Sequence, residues 1–257
     1  MSPVVSLGQL AADLRAGVLF CTRLPVPGAA TITGTDIARA GWALPVAGAI
    51  VGLIAALVYG LARLADVPPF PAAGLTVVAS LVVTGCLHED GFADLADSFG
   101  ASARERKLEI MRDSKIGTYG VCALFMSLLL RSSALASIAD PALAAPVLVA
   151  AHMAARAGMP LFMRLVPPAR ADGLSVGVGT PPRASAIAAL LIGMLALGVG
   201  LGPGAGVCAF ALIAVAFASL AWFSVRQIGG QTGDVLGALE QIGEIVVLLV
   251  AAANIGG

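Results

Sequence analysis

The sequence predicts an all-α protein, a polytopic helical bundle that crosses a bilayer about seven times. Three observations predict it. Of 257 residues, 59% are hydrophobic and only 12% charged, about half the charged share of a soluble domain, so water is not the main solvent. The apolar runs are long and continuous, whereas a membrane β-barrel would show segments of about ten residues with alternating polarity. Alanine, leucine, valine and glycine abound while aromatics make up 5%, which suits helices that approach closely in lipid. The formal net charge is zero, so no basic field exists to draw nucleic acid. Cys21, Cys86, Cys122 and Cys208 are scattered without a C-x-x-C pair and read as small buried hydrophobes.

Residues 1–257 read as one integral membrane domain. Its first 40 residues form an interfacial segment on the cytoplasmic side: residues 1–20 lack a basic start, and Gln9, Asp13 and Arg15 break their apolar stretch. That pattern suits a helix lying on the membrane better than a cleavable signal. Seven candidate spans follow, at roughly 41–61, 70–87, 118–139, 142–163, 184–201, 205–225 and 240–256. Pro68, Pro69 and Pro71 precede the second, Pro141 the fourth, Pro181 and Pro182 the fifth, and Gly202 to Gly206 the sixth. Arg15, Arg23, Arg39, the run Arg104 to Lys115, Arg164, Arg170, Arg183 and Arg226 then fall on one face, against Arg63 on the other. Positive loops stay cytoplasmic, so the N-terminus is expected there. Most acids share that face, although acids do not set orientation, which marks it as the side that carries chemistry.

The loop 88–117 holds the most informative residues. Asp90, Asp94 and Asp97 stand at i, i+4 and i+7, so a helix places their carboxylates on one face. Converging hard oxygens suit Mg²⁺, with water and phosphate completing its shell. A solvated acidic helix end is the alternative. Glu89 lies off the stripe, and His88 reads as a hydrogen-bonding partner or a substrate contact. Farther on, 103–111 reads as an amphipathic surface helix with Leu108 and Met111 toward lipid. Arg112, Asp113, Ser114 and Lys115 precede Gly117 and Gly120, placing cations beside a backbone that can approach phosphate closely, or else anchoring the loop to the membrane face.

Two arginines fall inside spans, where a cation costs at least about 2.5 kcal/mol. Arg156, with His152 one turn before it, is either an inward-facing substrate contact or an ion-paired structural residue, and Arg131 poses the same choice. Gly41, Gly48 and Gly52 serve close packing.

Residues 88–97 (His-Glu-Asp-Gly-Phe-Ala-Asp-Leu-Ala-Asp) and 109–120 (Glu-Ile-Met-Arg-Asp-Ser-Lys-Ile-Gly-Thr-Tyr-Gly) together resemble the cobalamin synthase family, the adenosylcobinamide-GDP ribazoletransferases. Arg23-Leu24-Pro25-Val26-Pro27, Asp172-Gly173-Leu174-Ser175 and the run Gly229 to Ala238 are similar to three further motifs of that family, in the same order over residues 20 to about 245. Glu89 departs from it, since an apolar residue is expected there.

The resemblance implies a late step of vitamin B12 assembly at the bacterial inner membrane. A ribose hydroxyl of α-ribazole, or of its 5'-phosphate, attacks the phosphate nearer the corrinoid in adenosylcobinamide-GDP and releases GMP, with Mg²⁺ as cofactor. On this reading Asp90, Asp94 and Asp97 are catalytic metal ligands, Asp94 doubling as the candidate base. Arg112 and Lys115 steady phosphate charge beside Asp113. The loop 226–239 carries Gly230, Gln231 and Thr232 as a phosphate or nucleotide cradle, the alternative being a flexible turn. Asp234 either completes the metal site or binds a ribose hydroxyl, and Asp172 is a further substrate contact. The acidic pattern is also similar to that of CDP-alcohol phosphotransferases, by analogy only. Rival readings are a transporter, whose usual internal duplication is not visible, and a scaffold for other cobalamin-assembly enzymes. Homo-oligomerisation stays open.

Overall fold

The structure, a computed structural model, describes residues 6–27 and 32–255. In chain order it runs α1 (Leu7–Cys21), α2 (Gly34–Arg39), a 3-10 turn, α3 (Leu44–Leu64), α4 (Pro69–Thr84), α5 (Leu87–Asp97), a second 3-10 turn, α6 (Arg104–Ile110), α7 (Thr118–Ile138), α8 (Pro141–Ala157), α9 (Met159–Leu165), α10 (Leu174–Val178), α11 (Arg183–Leu201), α12 (Pro203–Ile228) and α13 (Gly233–Ile255). No strand forms among the described residues. Six segments are long and apolar enough to cross a membrane, or seven if the bent pair α4–α5 is counted as one span, so the all-α membrane bundle is as expected.

Small residues build the interior. Gly48 and Gly52 of α3 lie on the backbone of α8, where a Cβ at Gly52 would come within 2.6 Å of Val149 Cα. Gly243 of α13 meets Ala155 of the same helix, and Gly200 of α11 meets Ala150 and Pro146. Helix α8 is therefore clasped on three sides at distances that larger residues would forbid. Outward faces carry Leu53, Leu57 and Leu61 of α3 and Leu191, Leu195 and Val199 of α11, exposed to what must be lipid.

The bend that creates the mouth of the bundle has a local cause. Helix α4 has 16 residues, about 24 Å of rise, and delivers Val83 to the Arg23 loop, whose amide donates to the Val83 carbonyl at 2.7 Å. The chain then turns by 94° through two left-handed residues, Gly85 (φ 66°) and Cys86 (φ 58°). A Cβ at Gly85 would also sit 2.5 Å from Arg23 Nε. We therefore read α4 as the crossing and α5 as a helix laid across one end of the bundle, outside the membrane-spanning segments.

Loops placed together by charge bias do meet at that end. Arg104 Nε donates to the Ile228 carbonyl at 2.8 Å and its Nη2 to the Ala169 carbonyl at 2.9 Å, while Arg112 pairs with Asp172 at 2.6 Å. The N-terminal segment is bolted to the bundle by buried Asp13, which accepts from Arg39 Nε at 2.9 Å and Trp42 Nε1 at 3.0 Å.

Three expectations need correction. The last helix begins at Gly233, not near 240, because Glu240 and Glu244, which depress its hydropathy, are buried against arginines. Met111 is buried in the core with Leu108 packed against it, so that face of α6 meets protein instead of lipid. Of the cysteines only Cys21 is buried; a thiol on an outward face of an apolar bundle needs no core to cover it.

Candidate active site

Helix α5 is amphipathic in an unusual sense, because both its faces carry acids. Its inner face turns His88 and Glu89 into the bundle. There Arg131 of α7 pairs with Glu89 at 3.1 Å and with Glu244 of α13 at 3.2 Å, and Arg156 of α8 pairs with Glu240 at 2.6 Å. Gln241 Nε2 donates to Glu89 and to Glu240, both at 3.0 Å, and Ser127 donates to Gln241 at 2.8 Å. His152 lies 3.3 Å from Glu244 and His88 3.6 Å from Glu240. Among the described residues, His152, Glu240 and Glu244 form the one group of three metal-type ligands whose atoms lie within 4.8 Å of one another. Two arginines already answer that group's carboxylates, which is the arrangement a buried charge cluster needs to persist.

The other face of α5 presents Asp90 and Asp94, one turn apart. Asp234, at the start of α13, joins them because α5 and α13 cross almost backbone to backbone. A Cβ at Gly91 would lie 2.8 Å from Asp234 Cα, and one at Gly237 would lie 2.9 Å from the His88 carbonyl oxygen. Two glycines, one on each helix, thus bring a third carboxylate to the pair. Burial, then Asp90, Asp234 and Asp97 in turn, push the Asp94 carboxyl up to about 7; the opposing influence of Arg170 is smaller. Such a group is poised to exchange a proton near neutral pH.

Asp97, the last of the stripe, is employed differently. Its two oxygens accept from the amides of Gly117 at 2.6 Å and Gly120 at 2.8 Å, tying α5 to the first turn of α7. Gly117 and Gly120 are glycines because a Cβ at either would strike that carboxylate, so their close approach is to Asp97 and not to a phosphate.

A cavity opens over Asp90, Asp94 and Asp234, walled by Glu89, Arg112, Asp113 and Ser114. Arg112 reaches it while bonded to Asp172, whose carboxyl that hydrogen bond holds below its ordinary range. Asp113 Oδ1 accepts from the Lys115 amide at 3.2 Å; Lys115 itself is exposed and does not line this cavity.

The glycine loop departs from the cradle expected of it. Gly229, Gly230 and Gln231 donate their amides to Val225, Ser224 and Pro167. Gly230 has φ 156°, and a Cβ there would collide with the Pro167 carbonyl oxygen. These glycines let the loop dock on 167–169, and their N–H groups are not free for phosphate. Thr232 caps α13, its hydroxyl 3.0 Å from Asp234 Oδ2, so it orients that carboxylate. Arg156 and His152 lie in the buried network, where Arg156 is ion-paired with Glu240, and neither lines the acidic opening.

Sequence reasoning missed Glu89, Arg104 and Arg170. Arg170 lies 3.8 Å from both Asp234 and Asp172; its place two residues before the Asp172-Gly173 motif was the available signal.

Fold and geometry together define a multi-pass membrane protein with a cavity lined by a cluster of carboxylates at one end of its bundle. Residues 13–252 match the model of the Cobalamin-5-phosphate synthase family. The chain is 55% identical over 249 residues to an adenosylcobinamide-GDP ribazoletransferase of Bradyrhizobium diazoefficiens, covering 96% of each protein. It is 48% identical to a protein of that name from Mesorhizobium japonicum, over 95% of this chain and 94% of the relative. A third, from Azorhizobium caulinodans, is 43% identical over 94% of this chain and 95% of its own length. No solved structure matches. The chain belongs to the Cobalamin-5-phosphate synthase family.

Proposed function

We propose that this chain is an adenosylcobinamide-GDP ribazoletransferase, acting at the cytoplasmic face of a bacterial inner membrane. The observation that supports the reading most is that Asp90, Asp94 and Asp234 share one opening with Arg112, within a chain that matches its relatives almost end to end. A ribose hydroxyl of ribazole or its phosphate attacks the phosphorus nearer the corrinoid. The new P–O bond forms as the bond from that phosphorus to the bridging oxygen breaks, and GMP leaves with the electron pair. Asp94, raised to about 7, takes the hydroxyl proton.

The residues present fit a divalent cation. Three carboxylates gather without an arginine bonded to each, and burial together with their mutual repulsion holds Asp94 protonated toward neutral pH. Mg²⁺ is the natural counter-charge for such oxygens. Asp90 and Asp234 would hold it, and when bound it neutralises charge on the phosphoryl oxygens. Arg112 adds a guanidinium to the donor's phosphates, suited to bidentate contact, and Asp172 orients that guanidinium. Asp97 fixes the α5–α7 junction that aims the carboxylates.

Purified protein in liposomes, given adenosylcobinamide-GDP, α-ribazole or its phosphate, and Mg²⁺, should release GMP. Intact substrates after prolonged incubation would reject this function.

A further inference from the structure

Asp90 and Asp234 line two cavities, not one. The first is the charged opening described above. The second lies on the opposite side of α5, enclosed by α1, α9, α10 and the start of α13, with Phe20, Leu44, Met159 and Met163 among its walls. Its polar end is formed by Asp90, Asp234, His88 and Arg170. A displacement at phosphorus places the attacking and leaving oxygens on opposite sides of the reacting atom. Two cavities that meet at the same pair of carboxylates match that requirement. Their linings differ as the two reactants do: a guanosine pyrophosphate ester is multiply anionic, while ribazole is a flat, methylated benzimidazole on a ribose.

Two residues of the apolar cavity's lining each carry a buried polar atom without a partner. Arg170 is mostly buried, its Nε and Nη2 lie 3.8 Å from Asp172 and Asp234, and its Nη1 has no hydrogen bond. Gly173, with φ 101°, leaves room for that guanidinium, since a Cβ there would lie 3.2 Å from Arg170 Nε. His88 is 2% exposed; its Nδ1 faces Arg156 and Glu240, and its Nε2 is buried without a partner. An unmet guanidinium N–H calls for an anion. An unmet imidazole nitrogen suits the one bare ring nitrogen of a benzimidazole.

We propose that the apolar cavity is the acceptor subsite, and that Arg170 at its rim binds a phosphate on the acceptor's ribose and so sets the preference for the phosphorylated acceptor. The inference rests on the ribazoletransferase reading and adds to it which cavity takes which substrate. The aromatic base lies among Phe20, Leu44 and the two methionines, its free nitrogen toward His88. The ribose then reaches past Asp90 and Asp234 to Asp94, one turn along α5 from Asp90, which takes the proton of its hydroxyl as that oxygen meets the phosphorus from the side opposite the nucleotide.

The test compares kcat/KM for α-ribazole 5'-phosphate with that for α-ribazole, in wild type and in Arg170→Gln and Arg170→Lys, each reconstituted in liposomes. Arg170→Gln should lower the ratio of the two by about 10- to 100-fold, the range of a lost charge-assisted hydrogen bond. Arg170→Lys, which keeps the charge without the fork, should lower it less. Met163→Trp, which fills the apolar wall, should raise the KM of both acceptors and leave that of adenosylcobinamide-GDP unchanged. An equal loss with both acceptors in Arg170→Gln, or a Met163→Trp effect confined to the KM of the donor, overturns the subsite assignment while leaving the function intact. Wild-type protein that releases no GMP with either acceptor overturns the function and the assignment together.

Discussion

The two faces of α5 hold carboxylates one residue apart with opposite fates. Glu89 points inward, where Arg131 and Gln241 meet it; Asp90 points outward, beside Asp94 and Asp234, where acids face acids. Inside the bundle, each acid has a cation because an unpaired charge could not persist there. At the mouth, water tolerates the imbalance, and an imbalance that folding did not remove is available for a ligand of opposite charge. The contrast separates acids that hold the helices together from the acids proposed to do chemistry.

The sharpest way to break it is to exchange the consequences. Asp94→Asn should lower kcat by about 10²–10⁴-fold, the usual contribution of a positioned base, while membrane insertion and the thermal midpoint in detergent hold or rise, since one of several repelling charges is gone. Arg156→Met should do the reverse in kind. Leaving Glu240 unanswered inside the bundle should cost about 3–5 kcal/mol, read as loss of folded protein in thermal melts before any assay is run. An Asp94→Asn protein that fails to fold, or an Arg156→Met protein as stable as wild type, would erase the distinction.

A smaller effect sharpens the boundary between the two sets. Asp97→Ala removes two amide bonds to a buried carboxylate, of a kind worth about 1.5–3 kcal/mol together with the charge they serve. Stability should fall by that order, and activity should fall through misplacement of α5, with cation affinity less affected than in Asp90→Asn. The smallest effect concerns pH. Asp94 binds its proton more tightly folded than unfolded, so its contribution to stability is complete below about pH 4 and is lost as pH rises through about 7. Metal-free protein should therefore melt at progressively lower temperature across that window, and millimolar Mg²⁺ should restore the midpoint at pH 8 more than at pH 5.

Much of this plan was legible in the residues. Hydropathy located the crossings, charge bias gathered the loops that do meet, and the i, i+4 spacing put Asp90 and Asp94 on one face. Spacing along one helix could not join Asp234 to that pair: the motif at 229–238 marks it as a candidate, but it arrives through a crossing of α5 with α13 at Gly91 and Gly237. Nor could it show that Asp97 is bonded to the start of α7. The glycines at 229 and 230 looked like a phosphate loop because sequence records the absence of side chains and not what approaches the space. Here it is the Pro167 backbone. The start of α13 was set too late for a related reason: Glu240 and Glu244 count as polar in a hydropathy window, although their partners, more than 80 residues away, make them interior residues.

The central claim is that the cation belongs to the acids at the mouth of the bundle. Mn²⁺ binding, followed by electron paramagnetic resonance on protein in liposomes, tests it directly with three variants. The account predicts bound Mn²⁺ in wild type and in His152→Ala, and its loss in Asp90→Asn and Asp234→Asn. Binding that survives both aspartate changes and disappears in His152→Ala would place the metal among His152, Glu240 and Glu244, and would contradict the account.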